Sequence, residues 1–361
     1  MEILIEDDVF AEDNHQLAIA MLWWHGSEQR HIVDVDNALS TPHFDAWYES
    51  LTQVLQEQID VAREWATEQQ ANFPVRLRSI RVVACSSDED LTATQPSVTP
   101  DTAGLLVARP LYLLVEDALN DGNFLRSIAP EGWSEYLEDY IQRGLIELQH
   151  AGGISNMARL VEQVLEMASR ERFIFRLRTW VMSDSDARDS CSHADRNAHC
   201  AEDERPSCAP SDAVCRVAQG CEDAGFTHHI LTRRAIENYV PMKALKAYCK
   251  NRTLFRRDKR QQLCEKYEVF SGFRAEQRHY FHMKDGFSGS NIEQLDHLFA
   301  DVSGSAKEVF ADGGFVGKTG LDKFVYGEEY RTRPGVDLQS WFDEDAQQEA
   351  EEIMRSIFKE V

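Results

Sequence analysis

From residue 110 onward the chain alternates unbroken apolar runs with helix-compatible segments, and that alternation restricts the fold more than any other feature. "PLYLLVE" ends in Glu116, "GLIELQHAGG" follows a helical stretch, and "SNMARLVEQVLEMASR" reads as a helix. "RLRTWVMSDSD" is a third strand, and "THHILTRRAIENYV" contains a fourth. Runs without polar alternation belong to strands covered on both faces, which signifies a parallel sheet flanked by helices. Chemistry in such sheets gathers beyond the carboxyl ends of the strands. Two of the runs end there in acids: Glu116, and the pair Asp184 and Asp186.

Along a strand, residues two apart face the same side, so Asp184 and Asp186 are expected to aim at one point. Adjacent anions raise each other's proton affinity unless a cation lies between them. A hard divalent ion with oxygen ligands, Mg²⁺ or Mn²⁺, meets that need. The plainer alternative is a solvated strand end or a helix cap, because "SDSD" is also good capping sequence.

The order strand–Glu116, strand–"HAGG", strand–Asp184-x-Asp186, then "RRAIENYVP" resembles the TOPRIM domain of topoisomerases, primases and OLD-type nucleases. That family places an acid after its first strand, usually as Glu-Gly-x-x-Asp, and Asp-x-Asp after its third. Here the first motif reads "VEDALNDGNFL", with Asp117 for the glycine and Asn120 at the second acid, so Asp121 is the substitute. The best match is to the OLD-like branch, which includes nuclease effectors of bacterial anti-phage systems such as PARIS. The resemblance implies metal-dependent phosphodiester hydrolysis at a two-metal site. Glu116, Asp121, Asp184, Asp186 and Glu237 would be its ligands, and Lys318 in "GGFVGKTGL" a catalytic lysine offsetting transition-state charge. The likeness covers about residues 110–240, reaches toward 325, and says little about 1–108.

Ahead of this core, "MEILI" and "SIRVVAC" read as short strands, and "HFDAWYESLTQVLQEQIDVAREWATEQQ" as one long amphipathic helix. Its Trp47, Leu51, Val54, Leu55, Ile59, Ala62 and Trp65 recur at three- and four-residue spacing. "CSSDEDLTATQPSVTPDTAG" (85–104) reads as a loop or linker. We see no internal repeat.

A net charge of −24 over 361 residues argues against a protein that coats nucleic acid non-specifically. Yet "KALKAYCKNRTLFRRDKR" sets eight Lys/Arg against one acid, Asp258. Its Lys250, Arg252, Arg256, Arg257, Lys259 and Arg260 are candidate phosphate contacts, with a solvated helix face as the alternative. No apolar run of about 18 residues is present, so no membrane span is expected. "MEILIEDDVF" has acids where a signal peptide would be basic, which points to the cytoplasm. The eight cysteines are then expected as thiols or metal ligands rather than disulfides. Cys191, His193, His199, Cys200 and Cys208 suit zinc by type, but no CxxC pair is present and an exposed insertion is the preferred reading. Cys215 and Cys221 read as packing residues. "FADGGFVGKTGL" fails as a P-loop, because the leading glycine position holds Asp312. "FDEDAQQEAEEIMRSIFKEV" is an acidic amphipathic helix, packed on the body or docking a partner.

The resulting expectation is an α/β protein in three parts: an N-terminal α/β domain (1–108), a TOPRIM-like parallel-sheet core (109–245) with a Cys/His insertion (187–210), and a mostly helical region (246–361). Its expected activity is a Mg²⁺- or Mn²⁺-dependent nuclease acting on DNA or RNA, tRNA among them, as the toxic effector of an anti-phage system. A separate ATPase sensor subunit and a homodimer are partners compatible with it. The alternative is a non-catalytic TOPRIM-like module that binds nucleic acid or a partner ATPase.

Overall fold

The structure, a computed structural model, describes residues 1–11, 13–36, 41–85, 90–187, 211–287, 298–315 and 320–361. Its first part runs β1 (Glu2–Ile5), α1 (Gln16–Ser27), β2 (Ile32–Val35), α2 (Pro42–Ser50), α3 (Gln53–Asn72), β3 (Ser79–Val82), β4 (Ser97–Val98) and α4 (Pro100–Val107). The strands form a parallel sheet in the order β2-β1-β3-β4. Two expectations need correction. The long helix is broken, because Leu51 and Thr52 are extended between α2 and α3. The break lets α2 bury Phe44 and Trp47 against Phe10, while α3 buries Ile59, Ala62 and Ala66. Val54, assigned to the apolar stripe, is 64% exposed. Nor is 85–104 loop throughout: β4 lies within it, and Pro100, suited to a first helical turn, opens α4.

The second sheet contains β5 (Leu111–Val115), α5 (Ala118–Ile128), α6 (Trp133–Gln142), β6 (Ile146–His150), α7 (Ile154–Leu165), α8 (Ser169–Leu177), β7 (Thr179–Ser183), α9 (Asp212–Ala224) and β8 (Thr227–Ile230). It too is parallel, in the order β6-β5-β7-β8. Leu111, Leu113 and Val115 pack on one face and Leu114 on the other, and that is why "LYLLV" has no polar alternation.

Helices follow: α10 (Met242–Cys249), α11 (Arg257–Ser271), α12 (Ala275–Tyr280), α13 (Gly304–Val309), α14 (Leu321–Val325), α15 (Glu328–Arg331) and α16 (Glu344–Glu360). Their Leu263, Phe270, Phe281, Phe310 and Ile353 share one core with Leu113 and Trp180 of the sheet. The acidic tail helix α16 is packed on the body. It buries Ala350, Ile353, Met354, Ile357 and Phe358, and its Ser356 hydroxyl accepts from the Trp180 indole at 2.9 Å. Near its end, Glu360 pairs with Arg78 at 2.7 Å, and its backbone carbonyl accepts from Arg178. Cys215 is disulfide-bonded, against the expectation of thiols throughout, whereas Cys85, Cys221, Cys249 and Cys264 are free. Among the described residues no helix is long and apolar enough to cross a membrane.

Candidate functional site

β5 and β7 are neighbours, with Leu114 level with Val181, so Glu116 and Asp184 leave the sheet side by side. Gly152 and Gly153, at φ of +81° and +100°, turn the chain sharply after β6, and the Gly152 amide donates to the Glu116 carbonyl at 3.2 Å. Beyond Ser183 the backbone is no longer a strand. Asp184 turns inward, its Oδ1 accepting from the Ile236 amide at 3.1 Å. Ser185 is buried, and its hydroxyl donates to the Arg233 carbonyl at 2.8 Å. Asp186 sits at φ +52°, a conformation costing a non-glycine residue about 1 kcal/mol, and its side chain is exposed. The two-residue strand argument for a shared aim is thereby corrected: the pair shares a turn, and its carboxylates differ in burial.

The other acids arrive from separate segments. Asp117 caps α5, accepting from the Leu119 amide at 3.0 Å, and the Asn120 side chain donates to it at 2.7 Å. That arrangement leaves Asp121 to point inward, where it is buried and accepts from the Asp117 amide at 2.8 Å. Glu237 lies in the 3₁₀ turn Ile236–Tyr239 and is 3% exposed. Asp322, in the first turn of α14, is buried as well.

Their proton affinities report the crowding. Burial, followed by the charges of Glu237, Glu116, Asp121 and Asp186, pushes the Asp184 carboxyl well above the carboxylate range. Burial pushes Asp121 up to about 7, with Glu116, Asp117 and Glu237 adding to it. Glu116 is raised by burial and by Asp186, against hydrogen bonds from the backbone of Asp184 and Ile154. Asp322 is raised by burial and by Glu237. In each, burial is the first cause and the neighbouring carboxylates add to it.

A lysine enters this cluster. Lys284 stands 3.0 Å from Glu237; burial would lower its pKa, but Glu237, Asp184 and Asp322 raise it. Neither Lys284 nor Asp322 is predictable from sequence, since "HMKDG" and "GLDKF" are short and carry no periodic signal. Arg233, near Glu237 in sequence, pairs with Asp343. Lys318 and the zinc candidates Cys191, His193, His199, Cys200 and Cys208 lie outside the described residues. Lys250, Arg252, Arg256, Arg257 and Lys259 are exposed across the end of α10 and the start of α11, and Arg260 is half-buried.

Among the described residues, no three Asp, Glu, His or Cys side chains converge as a ready ion-binding group. The donors are nonetheless of one hard-oxygen type, and their electrostatic deficit is the kind a divalent cation relieves. No protein-family model, curated protein or solved structure matches the chain.

Proposed function

We propose that the chain is a Mg²⁺- or Mn²⁺-dependent phosphodiester hydrolase with a TOPRIM-like core of the OLD-like type. One observation supports this reading: Glu116, Asp121, Asp186 and Glu237 all bear electrostatically on the buried Asp184, which accepts from the Ile236 amide beside Glu237, and Glu237 bears likewise on Asp322. Glu116 and the Asp184/Asp186 turn follow the first and third strands of that sheet, and those strands are neighbours. Glu116, Asp184, Asp186 and Glu237 would hold the cations. A bound divalent ion would supply Lewis-acid activation of water and of the leaving oxygen. Lys284, 3.0 Å from Glu237, would offset negative charge on the phosphoryl oxygens. The Ile236 amide and the Ser185 hydroxyl keep the acidic turn in its orientation. The biological setting that suits this chemistry is a cytoplasmic anti-phage effector triggered by a separate ATPase.

The purified chain is to be incubated with Mg²⁺ or Mn²⁺ and plasmid, single-stranded DNA or total RNA. Cleavage abolished by chelator and by Asp184→Ala/Asp186→Ala is the expected result. Full activity in the double variant would remove the proposal. Lys284 already neutralising Glu237 favours the second reading, a non-catalytic nucleic-acid-binding module. That module would bind its target and cut nothing with either ion.

A further inference from the structure

Beside the carboxylate cluster, and sharing Glu237 with it, a pocket of about 330 Å³ opens between the 236–239 turn, the start of α10, α12 and residues 340–343. Trp341 and Phe342 form an aromatic wall, and Lys243, Arg278 and His279 line the rest with Met283. Its acids are already matched: Asp343 is held by Arg233 and His279, and Glu237 by Lys284. The charge left over is cationic. Lys243 is exposed, and its ammonium lies 5.4 Å from the centre of the half-buried Trp341 ring, so a base stacked on that face would take the place of this ammonium.

From this mouth a stripe of cations runs outward. Lys243, Lys246 and Lys250 recur at three- and four-residue spacing, all exposed on one face of α10 and its end, and lead to Arg252, Arg256 and Arg257. At 1.5 Å per residue, Lys243 to Lys250 spans about 10 Å. That is roughly three nucleotides of a stacked strand. An aromatic wall, a cationic lining and a basic track are the parts of a single-strand site, since every base offers a π-face and every backbone offers phosphates.

We propose that this pocket is a nucleobase subsite. One unstacked base lies against Trp341 while the α10 stripe holds the adjoining phosphates, so the strand presented to the carboxylate edge is single-stranded or locally unpaired. A base inside a duplex has both faces stacked and cannot reach Trp341 without being extruded. The subsite deepens the hydrolase reading and rests on it for its meaning, but its own test is binding.

Dye-labelled oligo(dT) and oligo(U) of about twelve nucleotides, and a hairpin duplex of the same length, are titrated by fluorescence anisotropy with Ca²⁺ replacing Mg²⁺. Wild type is expected to prefer the single strands, with the two oligonucleotides separating DNA from RNA. Trp341→Ala and the exposed Lys243→Glu should each weaken single-strand binding by about tenfold, at unchanged melting temperature for Lys243→Glu. Tight single-strand binding that depends on Trp341, without cleavage under Mg²⁺ or Mn²⁺, keeps the subsite and ends the hydrolase reading. A wild type that prefers the duplex, or variants that bind single strands as wild type does, overturns the subsite. Cleavage by those variants at the wild-type rate would leave the hydrolase reading standing alone.

Discussion

Asp121 shows how a residue displaced from a motif position can still turn inward beside Glu116 and Glu237. The pattern expects an acid at 120, but Asn120 is spent on the Asp117 cap, and the next position turns inward. With its carboxyl at about 7, folded Asp121 holds a proton that the unfolded chain, near 3.8, has released. Stability should therefore fall as pH rises from about 4 to about 7, by up to about 4 kcal/mol for the ion-free protein. Asp121→Asn should flatten that part of the slope and gain stability at pH 8, measured as melting temperature across the range. Identical slopes in both proteins would show that Asp121 is not the proton-holding group. Glu116, Asp184 and Glu237 were legible because each ends or follows a strand-like run. Lys284 and Asp322 were not, because long-range closure alone brings them in.

The elements of the second sheet were readable for a reason particular to them, that strands covered on both faces are apolar without interruption. The first sheet was harder. β2 is a four-residue strand, β4 has two residues, and the 42–72 periodicity concealed a break that tertiary packing imposes. The amphipathic pattern of α16 was visible, but not its polar anchor. Glu349 is 4% exposed and accepts from His229 at 2.9 Å, the Thr232 amide at 2.7 Å, the Thr232 hydroxyl and Tyr239. Burial alone would raise its pKa, but these hydrogen bonds bring it down to about 2. Its contribution is thus complete above its ordinary value of 4.5 and lost as pH falls through about 2. Glu349→Gln should cost about 3 kcal/mol, read as a shift in the denaturant midpoint at pH 7. A shift below about 0.5 kcal/mol would mean that α16 is held by its apolar face alone.

Across the whole molecule, charge is distributed against its sum: a chain of −24 concentrates exposed cations between 243 and 260. Reversing Arg256, Arg257 and Arg260 to Glu should weaken nucleic-acid binding and make it less sensitive to salt, because fewer counterions are released. An unchanged slope of log affinity against log salt would reduce the segment to a solvated face. The closure of Glu349 on Thr232 and Tyr239 has a further consequence, in time. Those residues flank Glu237, yet their carboxylate partner lies 117 positions after Thr232 and 110 after Tyr239. At ribosomal speeds of about 5–20 residues per second, roughly ten seconds pass between their synthesis and its arrival. During that interval the nascent chain carries the acidic strand ends without the lock that fixes the Glu237 turn.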